Sequence, residues 1–188
     1  IMINIGVTGS LASGKSTVAK ILANRKHKIF NADEAVSDLY KKKEFKKKII
    51  KEFNLVNSKN IKKKIKNLIK KDKKKLKKLE TIIHPIIRMK MKTLMRHKKR
   101  GKIIIFDIPL LIESKLGKYF DVIIFVGSKK KIRLKRYLRK KGTKQIFTIL
   151  DKRQAKSNKK IKNCDYIIYN NRSLKVLRKK VKLLMKRI

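Results

Sequence analysis

The chain has 188 residues, 41% hydrophobic and 37% charged, which supplies enough apolar material for one core and excludes global disorder. Its 58 lysines and arginines against 12 acids give a net charge of +46, a balance that ordinarily points to a polyanionic partner. Here 47 of the 58 are lysine, spread over nearly the whole chain, so a general compositional drift explains the charge equally well, and no specific nucleic-acid partner is expected.

Residues 2–8, MINIGVT, form a short β-branched run ahead of glycine, the pattern of a buried strand rather than of a signal peptide. A helix is expected over 13–26, where Val18, Ile21 and Leu22 recur at helical spacing, and a second strand over 28–31. Residues 34–100 read as one long basic helical stretch. Ile61, Ile65, Leu68, Leu76, Leu79, Ile83, Ile87 and Leu94 mark an amphipathic face. Pro85 is expected to break or begin a helix there and to hold His84 out of the α conformation. KIIIFD (102–107) and DVIIFV (121–126) read as apolar strands, and DYIIY (165–169) as the last one. Helices are expected over 129–141, 147–155 and from Leu174 onward.

Five continuous apolar strands alternating with helices imply a parallel sheet covered on both faces. No apolar run approaches the roughly 18 residues of a membrane span. One cysteine, Cys164, rules out an intrachain disulfide and a multi-cysteine metal site, and fits a reducing cytoplasm.

Gly9-Ser10-Leu11-Ala12-Ser13-Gly14-Lys15-Ser16 matches G-x-x-x-x-G-K-[ST] in full, between a predicted strand and a predicted helix, as that motif requires. The glycines admit backbone geometries closed to other residues. Successive amides then form an anion nest at a helix N-terminus. Lys15 can reach β- and γ-phosphates, and the Ser16 hydroxyl can ligate Mg²⁺. Asp107, ending an apolar strand, suits a Mg²⁺-holding acid; its other role is to cap the following turn. Asp33, just past the second strand, can act as a base toward an attacking hydroxyl or as the N-cap of the next helix.

GVTGSLASGKST, NADEAV, LETIIHPIIR (79–88), FDIPLLIES (106–114), DVIIFV, Gln154, Asp165 and Asn170-Asn171 together resemble the dephospho-coenzyme A kinase family, in order and spacing along almost the whole chain. The phosphate-loop motif is shared by many kinases; the HP and D-x-PLL-x-E segments are far more specific. The resemblance implies a P-loop NTPase fold, three-layer α/β/α, similar to nucleoside monophosphate kinases. Its parts would be a core (1–33, 101–128, 154–188), a helical substrate-binding insertion (34–100) and a lid (129–153). It implies ATP and Mg²⁺ as cofactors and dephospho-CoA as the acceptor. Its ribose 3′-hydroxyl would be phosphorylated in the cytoplasm to give CoA and ADP, the last step of coenzyme A synthesis.

Carried over by position, residues 12–17 (Ala12, Ser13, Gly14, Lys15, Ser16, Thr17) bind ATP phosphates. Asp33 is the base, His84 and Arg88 lie in the substrate domain, and Arg139 is the lid arginine. His84 has a second role, positioning the turn before Pro85, and Arg88 one as a solvated cation. Leu110 and Leu111 are expected to pack beneath the substrate, while Gln154 and Lys160 can equally be surface residues. The family usually has glycine where Ala12 stands. Its second lid arginine falls ambiguously on Lys135 or Arg136, and lysine cannot supply the same planar fork. Two other functions fit the residues: a P-loop kinase for another nucleoside or nucleotide acceptor, and a basic RNA-binding protein with a vestigial loop.

Overall fold

A computed structural model describes residues 2–56, 60–96, 102–154 and 157–188. The strands are β1 (Ile3–Gly9), β2 (Lys28–Asn31), β3 (Ile103–Asp107), β4 (Val122–Gly127) and β5 (Tyr166–Tyr169). The helices are α1 (Lys15–Ala23), α2 (Ala32–Leu39), α3 (Lys43–Glu52), α4 (Ile61–Lys71), α5 (Lys73–Arg96), α6 (Lys130–Arg139), α7 (Lys144–Arg153), α8 (Ser157–Ile161) and α9 (Leu174–Met185). They fall into two compact units, residues 1–31 with 98–188, and residues 32–97.

In the first unit all five strands pair in parallel, in the order β2-β3-β1-β4-β5. The β-branched runs suit a pleated surface buried on both sides. On one face Ile5, Val7, Ile105, Ile124, Val126 and Ile168 pack against Val18 and Leu22 of α1 and Leu177, Val181 and Leu184 of α9. Each such side chain contributes about 1.5–3 kcal/mol by leaving water. Gly6 points the other way, where an added Cβ would collide with Leu111 and Phe120. Phe120 in turn stands edge-on to Phe106 at 5.3 Å.

The connection leaving β1 runs to one side of the sheet and the connection leaving β4 to the other. The carboxyl ends of these neighbours therefore flank a crevice, the usual ligand position in open α/β sheets.

The second unit is helical, as expected, and among the described residues it is divided into four helices, α2 to α5. Leu39, Phe45, Ile49, Phe53, Ile61, Ile65, Leu79 and Ile83 bury one another in its own core. Pro85 departs from expectation. It neither breaks nor begins a helix but lies inside the 24-residue α5, so His84 is helical. A mid-helix proline costs about 3 kcal/mol. Leu79 and Ile83 before it, with Ile86 and Ile87 after it, all pack on that core, so burial on both sides of the proline offsets its cost. Residue 155, at the expected end of α7, and residues 97–100, at the expected end of the insertion, lie outside the described residues.

Candidate active site

β1 delivers the glycine-rich loop to the crevice. A side chain at Gly9 would overlap the carbonyl oxygen of Val126 on β4, so the loop leaves the sheet flush with its neighbour. Ala12 is left-handed, with φ 57°, a conformation costing a non-glycine residue about 1–2 kcal/mol. Gly14, with φ 97° and ψ 24°, precedes the first turn of α1 and offers no side-chain cap. A Cβ there would strike the amide of Asn170. Helix α1 thus starts with its amides uncapped and with no acid in the first turn, which is the electrostatic requirement for receiving an anion.

The register places Asp107 beside Val7 and Asn31, at the end of the strand next to β1. Its carboxylate is 3% exposed. The Ser16 hydroxyl donates to its Oδ2 at 2.5 Å, and Asn31 Nδ2 donates to the same oxygen at 3.5 Å. Asp107 Oδ1 is buried with no hydrogen-bond partner among the described residues. The alternative in which Asp107 caps the next turn is not what these contacts display. A hydroxyl and a carboxylate in contact, with a buried oxygen unsatisfied, fit the donor set of a Mg²⁺ site. Among the described residues no three His, Cys, Asp or Glu side chains cluster; Mg²⁺ draws most of its ligands from phosphate and water.

The outer side of the loop is gripped by residues from α6 onward. Gln154 Oε1 accepts from Leu11 N–H at 2.8 Å, and Arg133 Nη1 donates to Leu11 C=O at 3.2 Å. Arg133 is buried, forks onto Asp151 at 2.5 and 3.4 Å, and lies over the Phe147 ring. Two residues on, Ser13 C=O accepts from Asn170 Nδ2 at 2.9 Å and Arg136 Nη1 at 3.1 Å. Arg136 Nη2 donates to the backbone and side-chain oxygens of Asn170. Burial lowers the Arg136 pKa from its ordinary value, yet a guanidinium remains charged.

The lid cation that the family resemblance implies, Arg139, is exposed in the last turn of α6. Lys135 is exposed too, so the nearby arginine in contact with the loop is Arg136. Arg133 went unnoticed. Its one legible signal was Asp151, among only 12 acids in the chain. Lys160, a candidate surface residue, is instead 1% exposed. Its ammonium pairs with Glu113 at 2.8 Å and donates to Pro109 C=O at 3.3 Å. Leu111 is fully buried, as a packing role requires, and Leu110 only partly.

The structure therefore assembles Gly9 and residues 12–17 with Asp107 in one unit, Thr17 lying exposed in the first turn of α1. Asp33, His84 and Arg88 belong to the other unit. Asp33 occupies the second position of α2, so it does not stand at the N-cap; an acid in that first turn is favoured by the helix dipole. His84, half-buried, and Arg88, exposed, are one turn apart on α5 and share a face.

A phosphate cradle at the carboxyl edge of a parallel sheet, with an acid beneath it on the adjoining strand, defines a P-loop kinase. Residues 3–175 match the family model for dephospho-CoA kinase. A curated dephospho-CoA kinase of Fusobacterium nucleatum is 41% identical over 182 residues, covering 94% of both chains. A Thermus thermophilus crystal structure superposes with a TM-score of 0.81 at 25% identity, covering 99% of this chain and 97% of that one. The structure of the Campylobacter jejuni dephospho-CoA kinase shares the fold, with a TM-score of 0.68 at 24% identity and the same coverages. The chain belongs to the dephospho-CoA kinase family. It is a transferase that phosphorylates dephospho-CoA with ATP in coenzyme A biosynthesis.

Proposed function

We propose that the acceptor atom is the ribose 3′-hydroxyl of dephospho-CoA and that the two units divide the work. The glycine-rich loop holds the ATP phosphates through residues 12–17, with Lys15 against the transferring group. Ser16 and Asp107 hold Mg²⁺, which neutralises phosphate charge when bound. Asp33 accepts the proton of the 3′-hydroxyl as the bond from that oxygen to the γ-phosphorus forms. The bond to the β,γ-bridging oxygen breaks, and ADP leaves. No covalent enzyme intermediate is required, so positioning and electrostatics carry the catalysis.

His84 and Arg88, sharing one face of α5, bind the acceptor within the helical insertion. Residues 129–153 act as the lid, excluding water that would otherwise hydrolyse ATP. Arg136 supplies the cation at the loop, and Arg139, one turn along the same helix, is the alternative carrier. The reaction runs in the cytoplasm, where a lone thiol stays reduced; no helix among the described residues is long and apolar enough to cross a membrane.

The observation that carries this proposal is the Ser16–Asp107 contact with its unsatisfied carboxylate oxygen. Incubation with ATP, Mg²⁺ and dephospho-CoA should yield CoA, with NMR locating the new phosphate at the 3′ position. Asp33→Asn should bind ATP normally and transfer phosphate about 100-fold more slowly. Normal transfer by that variant would remove Asp33 from the role of base.

A further inference from the structure

Ala12 holds a left-handed conformation that glycine adopts freely and alanine does not. Such strain persists only where the surroundings over-determine it. The residues on either side of Ala12 are each held from outside the loop. Leu11 has both backbone groups engaged, its N–H by Gln154 at 2.8 Å and its C=O by Arg133 at 3.2 Å. Ser13 has its C=O held by Asn170 and Arg136, and its N–H donates to Ser10 C=O at 3.1 Å. Arg133 is itself fixed by Asp151 and by the carbonyl of Ser128 at 3.0 Å. Gln154 terminates α7 in extended backbone, so its reach to Leu11 is set by where that helix ends.

We infer that Gln154 and Arg133 are positioning residues for the phosphate loop: by clamping Leu11 they keep Ala12 left-handed, and so keep the following amides turned toward the bound phosphates. The Leu11 amide, spent on Gln154, is not one of the phosphate donors. Glycine at position 12 would make the clamp largely unnecessary; alanine there makes ATP binding depend on it. The inference rests on the loop being the phosphate cradle.

The dependence is testable as a double-mutant cycle between positions 12 and 154, with ADP and Mg²⁺ as the calorimetric probe so that catalysis does not enter. Gln154→Ala is chosen because it removes one hydrogen-bond acceptor and no buried charge. It should raise the Kd for ADP about tenfold and leave the KM for dephospho-CoA within about twofold. The same change made in an Ala12→Gly background should raise the Kd no more than about twofold over Ala12→Gly alone. Arg133→Met should follow the same pattern; should it fail to fold, the Gln154 cycle still decides. Equal losses in both backgrounds, or no loss in the Ala12 background, would overturn the inference. The cradle is checked separately by Lys15→Ala: unchanged ADP binding there would displace the phosphate site itself, clamp included.

Discussion

Arg136 and Arg139 lie three residues apart on one helix, yet only Arg136 is seen to touch the loop. Its planar fork divides between Ser13 C=O and Asn170, a pattern one ammonium cannot reproduce. Arg136→Lys should therefore reduce kcat/KM for ATP about tenfold or more, and Arg139→Lys should cost less. Single-turnover rates at matched ionic strength give the ranking, and the reverse order would return the lid role to Arg139. Cys164 makes a second prediction. Burial is the main force raising its thiol pKa, from 9.0 to about 11; nearby Asp165 adds to the rise and Lys160 opposes it. The thiol also donates to Lys160 C=O at 3.1 Å. A folded pKa above the unfolded one stabilises the fold fully below the lower value and less as pH rises through the higher. The stability difference between the wild type and Cys164→Ala should thus shift against the wild type between pH 9 and about 11, read from paired denaturant melts.

The inner strands were legible because parallel, doubly covered strands are short continuous apolar runs, as IIIFD and VIIFVG are. The loop was legible because its chemistry is written in consecutive residues. The insertion's subdivision was not. Its breaks fall at residues 40–42, between Phe53 and Asn60, and at Asp72, none of them at proline or glycine. Asn54 and Asn60 are left-handed, and Asp72 Oδ1 accepts from Lys74 N–H at 2.8 Å as α5 begins. Asn and Asp end or start helices by such local bonds, but in a chain so rich in lysine they carry little contrast. Pro85, the loudest punctuation, was overruled by burial on both sides. Its exposure makes the cost recoverable: Pro85→Ala restores a backbone donor toward Thr81 C=O. It should raise unfolding stability by about 1–3 kcal/mol, read from the urea midpoint. A loss of stability would mean that α5 needs the proline's fixed angle. The partners of Gln154 and Lys160 were illegible for a different reason: contacts between residues 51 and 143 positions apart leave no local pattern.

A charge of +46 on one small enzyme makes the folded state repel itself, since compaction brings like charges together. Twelve acids can pair with only a minority of the 58 cations, and the Lys41–Asp38 and Lys78–Glu52 pairs are exposed, where each contributes at most about 1 kcal/mol. Added NaCl should therefore raise the melting temperature, most steeply between about 20 and 200 mM, where the screening length falls below about 10 Å. A flat or falling curve would show that attractive pairs outweigh the repulsion. Activity measured across the same range separates this global effect from any at the loop, because the buried Asp107 and Arg133 are screened far less than surface lysines.

The pairing order of the sheet has a consequence for how the protein is made. β1 is synthesised first, but both its neighbours, β3 and β4, begin more than 90 residues later. The intervening unit keeps its core within one contiguous segment and can complete it as soon as that segment emerges. At about 5–20 residues per second, an apolar strand ending in the nucleotide loop waits roughly 5–20 seconds on the ribosome without its partners. Translation speed across residues 32–102 therefore sets how long the catalytic strand of each new molecule is exposed to mispairing.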